Sequence, residues 1–178
     1  LDRRGPAPHE HANEPARKSA IDNLRSVGIA TVVASGNEGN ANGIGTPACI
    51  STAISVGSTN KSDVVSSFSN SDTFLSLLAP GESIQSSLPG GGSAFWSGTS
   101  MATPHVGGAW AILRQHAPAA SVSDVLAALQ STGVPITDAR NGVTKVSDPT
   151  IRHEVGARSL LHLGRVPERP PERDIVEG

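Results

Sequence analysis

The chain has 178 residues, enough for about one domain. Hydrophobic residues make up 37% but aromatics only 3%, with no tyrosine, so the core has to be built from Val, Ile, Leu and Ala. A formal net charge of -2 gives no electrostatic case for nucleic acid or an anionic membrane. No apolar run reaches the roughly 18 residues a membrane span needs. The single cysteine, Cys49, cannot close an internal disulfide and reads as a small buried hydrophobe.

Residues 1–13 read as a loose polar arm. His9-Glu10-His11 fails zinc-protease spacing, because Asn13 stands four positions after His9, and fits a solvated charged stretch. The chain starts with Leu rather than Met, and its first residues do not form a secretory signal. Asn13 and Pro15 open a helix in which Ala16, Ala20, Leu24 and Val27 recur at helical spacing, and Gly28 ends it. Ile29–Ala34 is a short β-branched run that predicts a strand buried on both faces, which favours a parallel sheet. The loop from Ser35 to Gly39 then leaves the strand's C-terminal end, where α/β sheets bind ligands.

Further strands are predicted at Ala53–Ser58, Leu75–Ala79 and Ile84–Leu88, with a serine-rich turn at Ser66–Ser71. Gly90-Gly91-Gly92 leads through Phe95-Trp96 to Gly98-Thr99-Ser100-Met101-Ala102. Val106, Ala109, Trp110 and Leu113 form one helical face, with Pro104 early enough in the helix to be tolerated. Ser121 and Asp124 make a capping box for a helix carrying Val125, Leu126 and Leu129, closed by Gly133 and Pro135. Ile151–Leu163 reads as an amphipathic helix, and Arg165–Gly178 as a disordered tail. Alternating helices and apolar strands argue for an α/β fold.

The segment around Ser100 carries the chemistry. Small residues at Gly98 and Ala102 would let a carbonyl approach. A helix start supplies unpaired N–H groups and a positive dipole end. The same residues also fit a plain turn capping a buried helix. Asn37, flanked by Gly36 and Gly39, can project an amide into a cleft, although Asn-Glu-Gly is also ordinary turn chemistry.

Taken together, these residues resemble the subtilisin-like serine proteases, the subtilases. The resemblance rests on Ser35-Gly36-Asn37-Glu38-Gly39, Thr46-Pro47-Ala48, Ala53-Ile54-Ser55-Val56-Gly57, Phe68-Ser69, Ala79-Pro80-Gly81 and Gly98 to Val106. It covers residues 14 to 145, extending toward 164. It implies an α/β fold with a mainly parallel sheet flanked by helices. It implies that Ser100 is the acylated nucleophile and that Asn37 joins the Ser100 backbone N–H in an oxyanion hole. Ala34, Ser35, Gly36 and Gly45, with Thr99, would line the substrate site, and glycine at 45 would leave room for a large apolar side chain. A cis peptide before Pro47 is implied too, and His105 belongs to the signature as a packing residue. The implied partner is a polypeptide substrate, with no nucleic acid and no membrane. No cofactor is required; family members often bind calcium, but no dense carboxylate loop assigns ligands here. Most members are secreted, which suggests an extracellular parent.

The family's Asp-Thr/Ser-Gly and His-Gly-Thr segments are not found before Asn37. Only His9, His11, Asp2 and Asp22 precede it, none in that context. The expectation is therefore the C-terminal half of a subtilase catalytic domain, residues 14–164, partnered by the missing N-terminal half. Alone it is expected to fold weakly and to be essentially inactive, since serine needs an adjacent base. A truncated, non-catalytic subtilase is one alternative. An α/β-hydrolase is another: Asp124, Asp138 or Asp148 and then His153 or His162 follow Ser100 in that order. Ala102, however, stands where the second elbow glycine belongs.

Overall fold

The computed structural model describes residues 15–147. The arm with His9, Glu10 and His11, the 151–163 stretch and the 165–178 stretch lie outside the described residues. So do Asp148, His153 and His162.

Within 15–147 the chain runs α1 (Pro15–Ser26), β1 (Val32–Ala34), β2 (Ile54–Thr59), β3 (Leu77–Pro80), β4 (Ile84–Ser87) and β5 (Ser93–Trp96). It continues through α2 (Thr99–His116), α3 (Val122–Thr132), β6 (Val134–Thr137) and β7 (Thr144–Ser147). One sheet has the order β1-β2-β3-β7-β6, and β4-β5 form a separate antiparallel hairpin. The pairings β1-β2, β2-β3 and β3-β7 are parallel; only β6-β7 is antiparallel. The fold is thus the expected α/β arrangement around a mainly parallel sheet.

Side chains alternate across the strands and divide the core. Ile54 and Val56 of β2, with Leu77 and Ala79 of β3, face α2 through Ala102, Val106, Trp110 and Leu113. Val122, Val125 and Leu129 of α3 complete that cluster. On the other face Leu78 joins Ile44, Ala48, Cys49, Val65, Leu75 and Ile136. Cys49 sits there as a free, buried thiol. The parallel strands β2 and β3 are buried along their whole length because both faces are covered.

Three expectations need correction. The first strand is shorter than Ile29–Ala34 and only half-buried, because β1 is an edge of the sheet and pairs with β2 alone among the described residues. In α1 the buried residue is Ile21, packed on Ile50 and Ala53, whereas Leu24 and Val27 are exposed. The chain after Gly133 does not simply end a helix: it forms the β6–β7 hairpin, with Pro135 on the outer strand, where its missing N–H disrupts no inner ladder. The capping box is as expected, with Ser121 Oγ accepting from the Asp124 N–H and Asp124 accepting from the Ser121 N–H. The Thr46–Pro47 peptide is cis.

Gly107 and Gly108 lie inside α2, and a Cβ at either position would meet nothing within 4 Å. Glycine in a helix interior costs about 0.5–1 kcal/mol relative to alanine. Gly108→Ala should therefore raise the unfolding free energy by about that amount, seen as a higher midpoint in urea with an unchanged m-value.

Candidate active site

Two loops far apart in sequence meet at the start of α2. The first follows β1 and carries Asn37; the second enters α2 through Gly98. The Thr99 N–H donates to Asn37 Oδ1 at 2.8 Å, and the Thr99 hydroxyl donates to the same oxygen at 3.0 Å. The Gly36 N–H donates in turn to Thr99 Oγ1 at 3.3 Å. A backbone N–H can only donate, so it fixes which end of the Asn37 amide is oxygen. Asn37 Nδ2 is thereby turned away from Thr99, with no protein acceptor among the described residues.

Ser100 is exposed in the first turn of α2, next to buried Thr99 and Gly98. A helix's first N–H groups have no intrahelical partner. Met101 and Ala102 N–H find the Gly98 carbonyl, and Thr99 N–H finds Asn37. Among the described residues the Ser100 N–H has no acceptor. The Ser100 hydroxyl likewise has no hydrogen-bond partner there. Two donors without a protein acceptor and one unbonded hydroxyl thus lie at the two segments that meet at this helix start, and such groups can hold negative charge developing on a carbonyl oxygen.

The turn is held from below. The Gly98 N–H donates to the Gly81 carbonyl at 2.8 Å, and the Gly81 N–H donates to the Thr59 carbonyl at 2.9 Å. A Cβ at Gly81 would collide with Ser58 Oγ and stand 2.7 Å from the Gly98 oxygen, so only glycine admits this approach. Beside Ser100 an open cleft of about 290 Å³ is lined by Ile84, Gln85, Ser86, Ser100, Met101, Pro104 and His105. Its outer wall is the β4 strand of the hairpin. Sequence reasoning did not assign Ile84, Gln85 or Ser86 to the site, and an exposed polar strand carries no signal that it borders a cleft.

The other expected site residues fall into two groups. Ala34, Ser35, Gly36 and Gly45 do come together: the Gly45 N–H donates to the Ser35 carbonyl at 2.8 Å. Ser35, however, is fully buried: its hydroxyl donates to the Asn70 carbonyl and its backbone bonds Val56 and Gly45, so it supports the site rather than facing a ligand. None of the four lines the cleft beside Ser100. Thr99 is fully buried, with its hydroxyl engaged by Asn37 and Gly36, so its side chain supports the site from beneath. Ala102 does not face the substrate side; it is buried in the core, where its small size brings α2 close to the sheet.

His105 sits half-buried one turn into α2. Its Nδ1 lies 2.8 Å from the Met101 carbonyl, an obligate acceptor, so Nδ1 carries the proton. Of the carboxylates offered for an α/β-hydrolase triad, the two among the described residues are engaged elsewhere: Asp124 caps α3 and Asp138 pairs with Arg140 at 2.6 Å. Among the described residues no three carboxylate, imidazole or thiol groups converge, so no residue is assigned to calcium.

Comparison with known proteins decides the family. The model of the Subtilase family matches residues 5–157. The chain belongs to the subtilases. It is 42% identical over 120 residues to Subtilisin E of Bacillus subtilis (strain 168), a match spanning 66% of this chain and 32% of that protein. It is 43% identical over 115 residues to the Intracellular serine protease of Paenibacillus polymyxa, across 62% of this chain and 35% of the relative. The crystal structure of a cold adapted subtilisin-like serine proteinase superposes with a TM-score of 0.69 at 33% identity, over 76% of this chain and 50% of that one. A protease from Pseudoalteromonas arctica shares the fold at a TM-score of 0.73 and 21% identity, with 92% of this chain and 48% of that one covered. The chain therefore spans about a third of the first of these relatives and half or less of the solved structures.

The contacts under this subtilase site can be tested one at a time. Thr99→Val keeps the shape but strips the hydroxyl that Gly36 and Asn37 use. It should lower stability by about 1–3 kcal/mol, while Thr99→Ser should lose much less; urea unfolding compares them. A second test concerns Asp138, whose partner Arg140 also donates to the Ser67 carbonyl and so ties the β6–β7 turn to the loop before β3. Burial pushes the Asp138 carboxyl up, but hydrogen bonds from Arg140 outweigh it and leave the value below that of an ordinary aspartate. The stabilisation is then complete above the ordinary value and is lost as pH falls through the lower folded one. Asp138→Asn should flatten the acid limb of a stability–pH profile.

Proposed function

We propose that this chain carries the nucleophile and oxyanion hole of a serine endopeptidase. One observation supports this above the rest: Asn37 Oδ1 is pinned by Thr99, the residue before Ser100, leaving Asn37 Nδ2 and the Ser100 N–H as unclaimed donors at the start of α2. In this reading Ser100 Oγ attacks the carbonyl carbon of a peptide bond. The carbonyl oxygen becomes negative and is received by the two donors. Collapse expels the amine and leaves an acyl-enzyme on Ser100, which water then hydrolyses. Ala34, Gly36 and Gly45 would hold the side chain preceding the scissile bond, with buried Ser35 supporting them from beneath.

The attack needs a base. No imidazole among the described residues is hydrogen-bonded to Ser100, and His105 Nδ1 is engaged by the Met101 carbonyl. The reading therefore places the base, and the carboxylate that orients it, outside residues 15–147. Subtilisin relatives carry this chemistry in an Asp, His, Ser order.

The test is hydrolysis of a fluorogenic peptide by the chain alone and by the chain co-folded with an Asp- and His-bearing N-terminal segment of a subtilisin. Alone, turnover should stay near the residual level of about 10³–10⁴ over water that survives triad loss. With the segment it should rise, vanish in Ser100→Ala, and fall by about 10²–10³ in Asn37→Ala, a magnitude established on a subtilisin and carried over here. Activity in the segment-supplied form that ignores Ser100→Ala would end this reading. A correctly co-folded but silent pair would favour a non-catalytic subtilase.

A further inference from the structure

Asn37 is exposed, and only Thr99 fixes its tip. Something must fix the loop from which it projects. That loop, residues 35–40, wraps around a single residue of the segment leading to β3. Asn70 is buried and touches the loop at every turn. Its Nδ2 donates to the Ser35 carbonyl at 3.2 Å and to the Glu38 carboxylate. Its Oδ1 accepts from the Asn40 N–H at 2.9 Å. Its backbone N–H donates to the Gly36 carbonyl at 3.0 Å, and its carbonyl accepts from Ser35 Oγ at 2.9 Å. Apart from a second acceptance by its carbonyl from Ser69 Oγ, the hydrogen bonds of this amide side chain and of its own peptide groups are directed at the residues flanking Asn37.

The loop is shaped to receive it. Gly36 has a φ of +110°, which side-chain-bearing residues rarely adopt, and a Cβ there would collide with Asn70 Nδ2. The loop backbone closes directly over the Asn70 amide. The Glu38 carboxylate, which is exposed, reaches back to the same nitrogen rather than out to water.

We propose that Asn70 is a positioning residue for the oxyanion hole: its buried amide holds the 35–40 loop so that Asn37 meets Thr99 and presents Nδ2 beside Ser100. The proposal rests on the reading of Asn37 given above, but its geometry can be tested without turnover. An aspartate at 70 keeps the size and the acceptor for Asn40. It replaces the Nδ2 donor with an oxygen that faces both the Ser35 carbonyl and the Glu38 carboxylate, and two carboxylates at that separation repel.

The experiment is amide hydrogen exchange of the full chain, reading the Thr99 N–H, which Asn37 accepts, against the Val125 N–H, which the Ser121 carbonyl accepts in distant α3. In Asn70→Asp the Thr99 exchange should quicken at least about tenfold, the loss expected from an unmatched buried polar group, with Val125 unchanged. Adding Glu38→Gln supplies a donor to the new carboxylate and should recover most of the Thr99 protection. Asn70→Ser, which shortens the side chain without adding charge, should quicken Thr99 exchange by a smaller factor and serves where Asn70→Asp does not fold. Unchanged Thr99 exchange, or equal quickening at Thr99 and Val125 with no recovery from Glu38→Gln, would overturn the proposal. Because no step depends on catalysis, silence in the peptide assay would count against Ser100 and leave this result standing.

Discussion

The hydrogen bond from the Thr99 N–H to Asn37 Oδ1 is the contact on which the site depends. It joins segments 62 positions apart and performs two tasks at once. It satisfies a donor that the start of α2 would otherwise leave orphaned, and it orients an amide whose other end is left without a protein acceptor among the described residues. Had the amide been rotated, Nδ2 would face an N–H and both groups would be unmatched. The direction in which Asn37 points is therefore set by the helix itself.

That contact needs two rigid supports. One is the core beneath α2, where Ala102, Val106, Trp110 and Leu113 lock the helix onto β2 and β3. Its first turn is further anchored through Gly98 to Gly81 and from there to the end of β2. The other support is the polar packing of the segment that joins β2 to β3 against β2 and the loop after β1. There Ser58, Ser66, Ser69 and Asn70 are buried and bonded to one another or to backbone, most directly in the 2.8 Å contact of Ser58 Oγ with Ser66 Oγ. Such buried polar networks rigidify a loop only when every member is matched. The serine-rich composition around residue 66 is thus structural interior rather than surface turn.

That the Asn37 loop and the Ser100 turn stand out was legible in the sequence, and the structure brings the two segments together through Thr99. Ser100 sits in a long run of small residues leading into a clean helical pattern, and Asn37 follows a β-branched strand; both signals are local. The capping box at Ser121 was legible for the same reason. What the sequence hid was relational. Ala102 looks like a residue chosen for substrate clearance and is in fact chosen for helix–sheet packing. Ser35 looks like a pocket wall and is turned inward by Asn70. The burial of β1 was overestimated because an apolar run reports the character of a strand, not whether a neighbour covers it. The β6–β7 hairpin was missed because Pro135 and Gly133 read as helix stops, and nothing nearby says that a strand follows. Asn70 stood only inside the serine-rich turn Ser66–Ser71, next to Phe68-Ser69, a pair noted for resemblance, and no local pattern marks its amide as buried.

The placement of Ser100 on α2 has a further consequence. The Ser100 hydroxyl and the central packing helix are one continuous element, so its position is tied directly to the core. Heat or denaturant that loosens the contact of Val106 with the sheet also displaces Ser100. Gentle warming should leave the placement of that hydroxyl intact up to the temperature at which the helix leaves the sheet, and sequence changes that relax the interior will be felt at the hydroxyl many residues away.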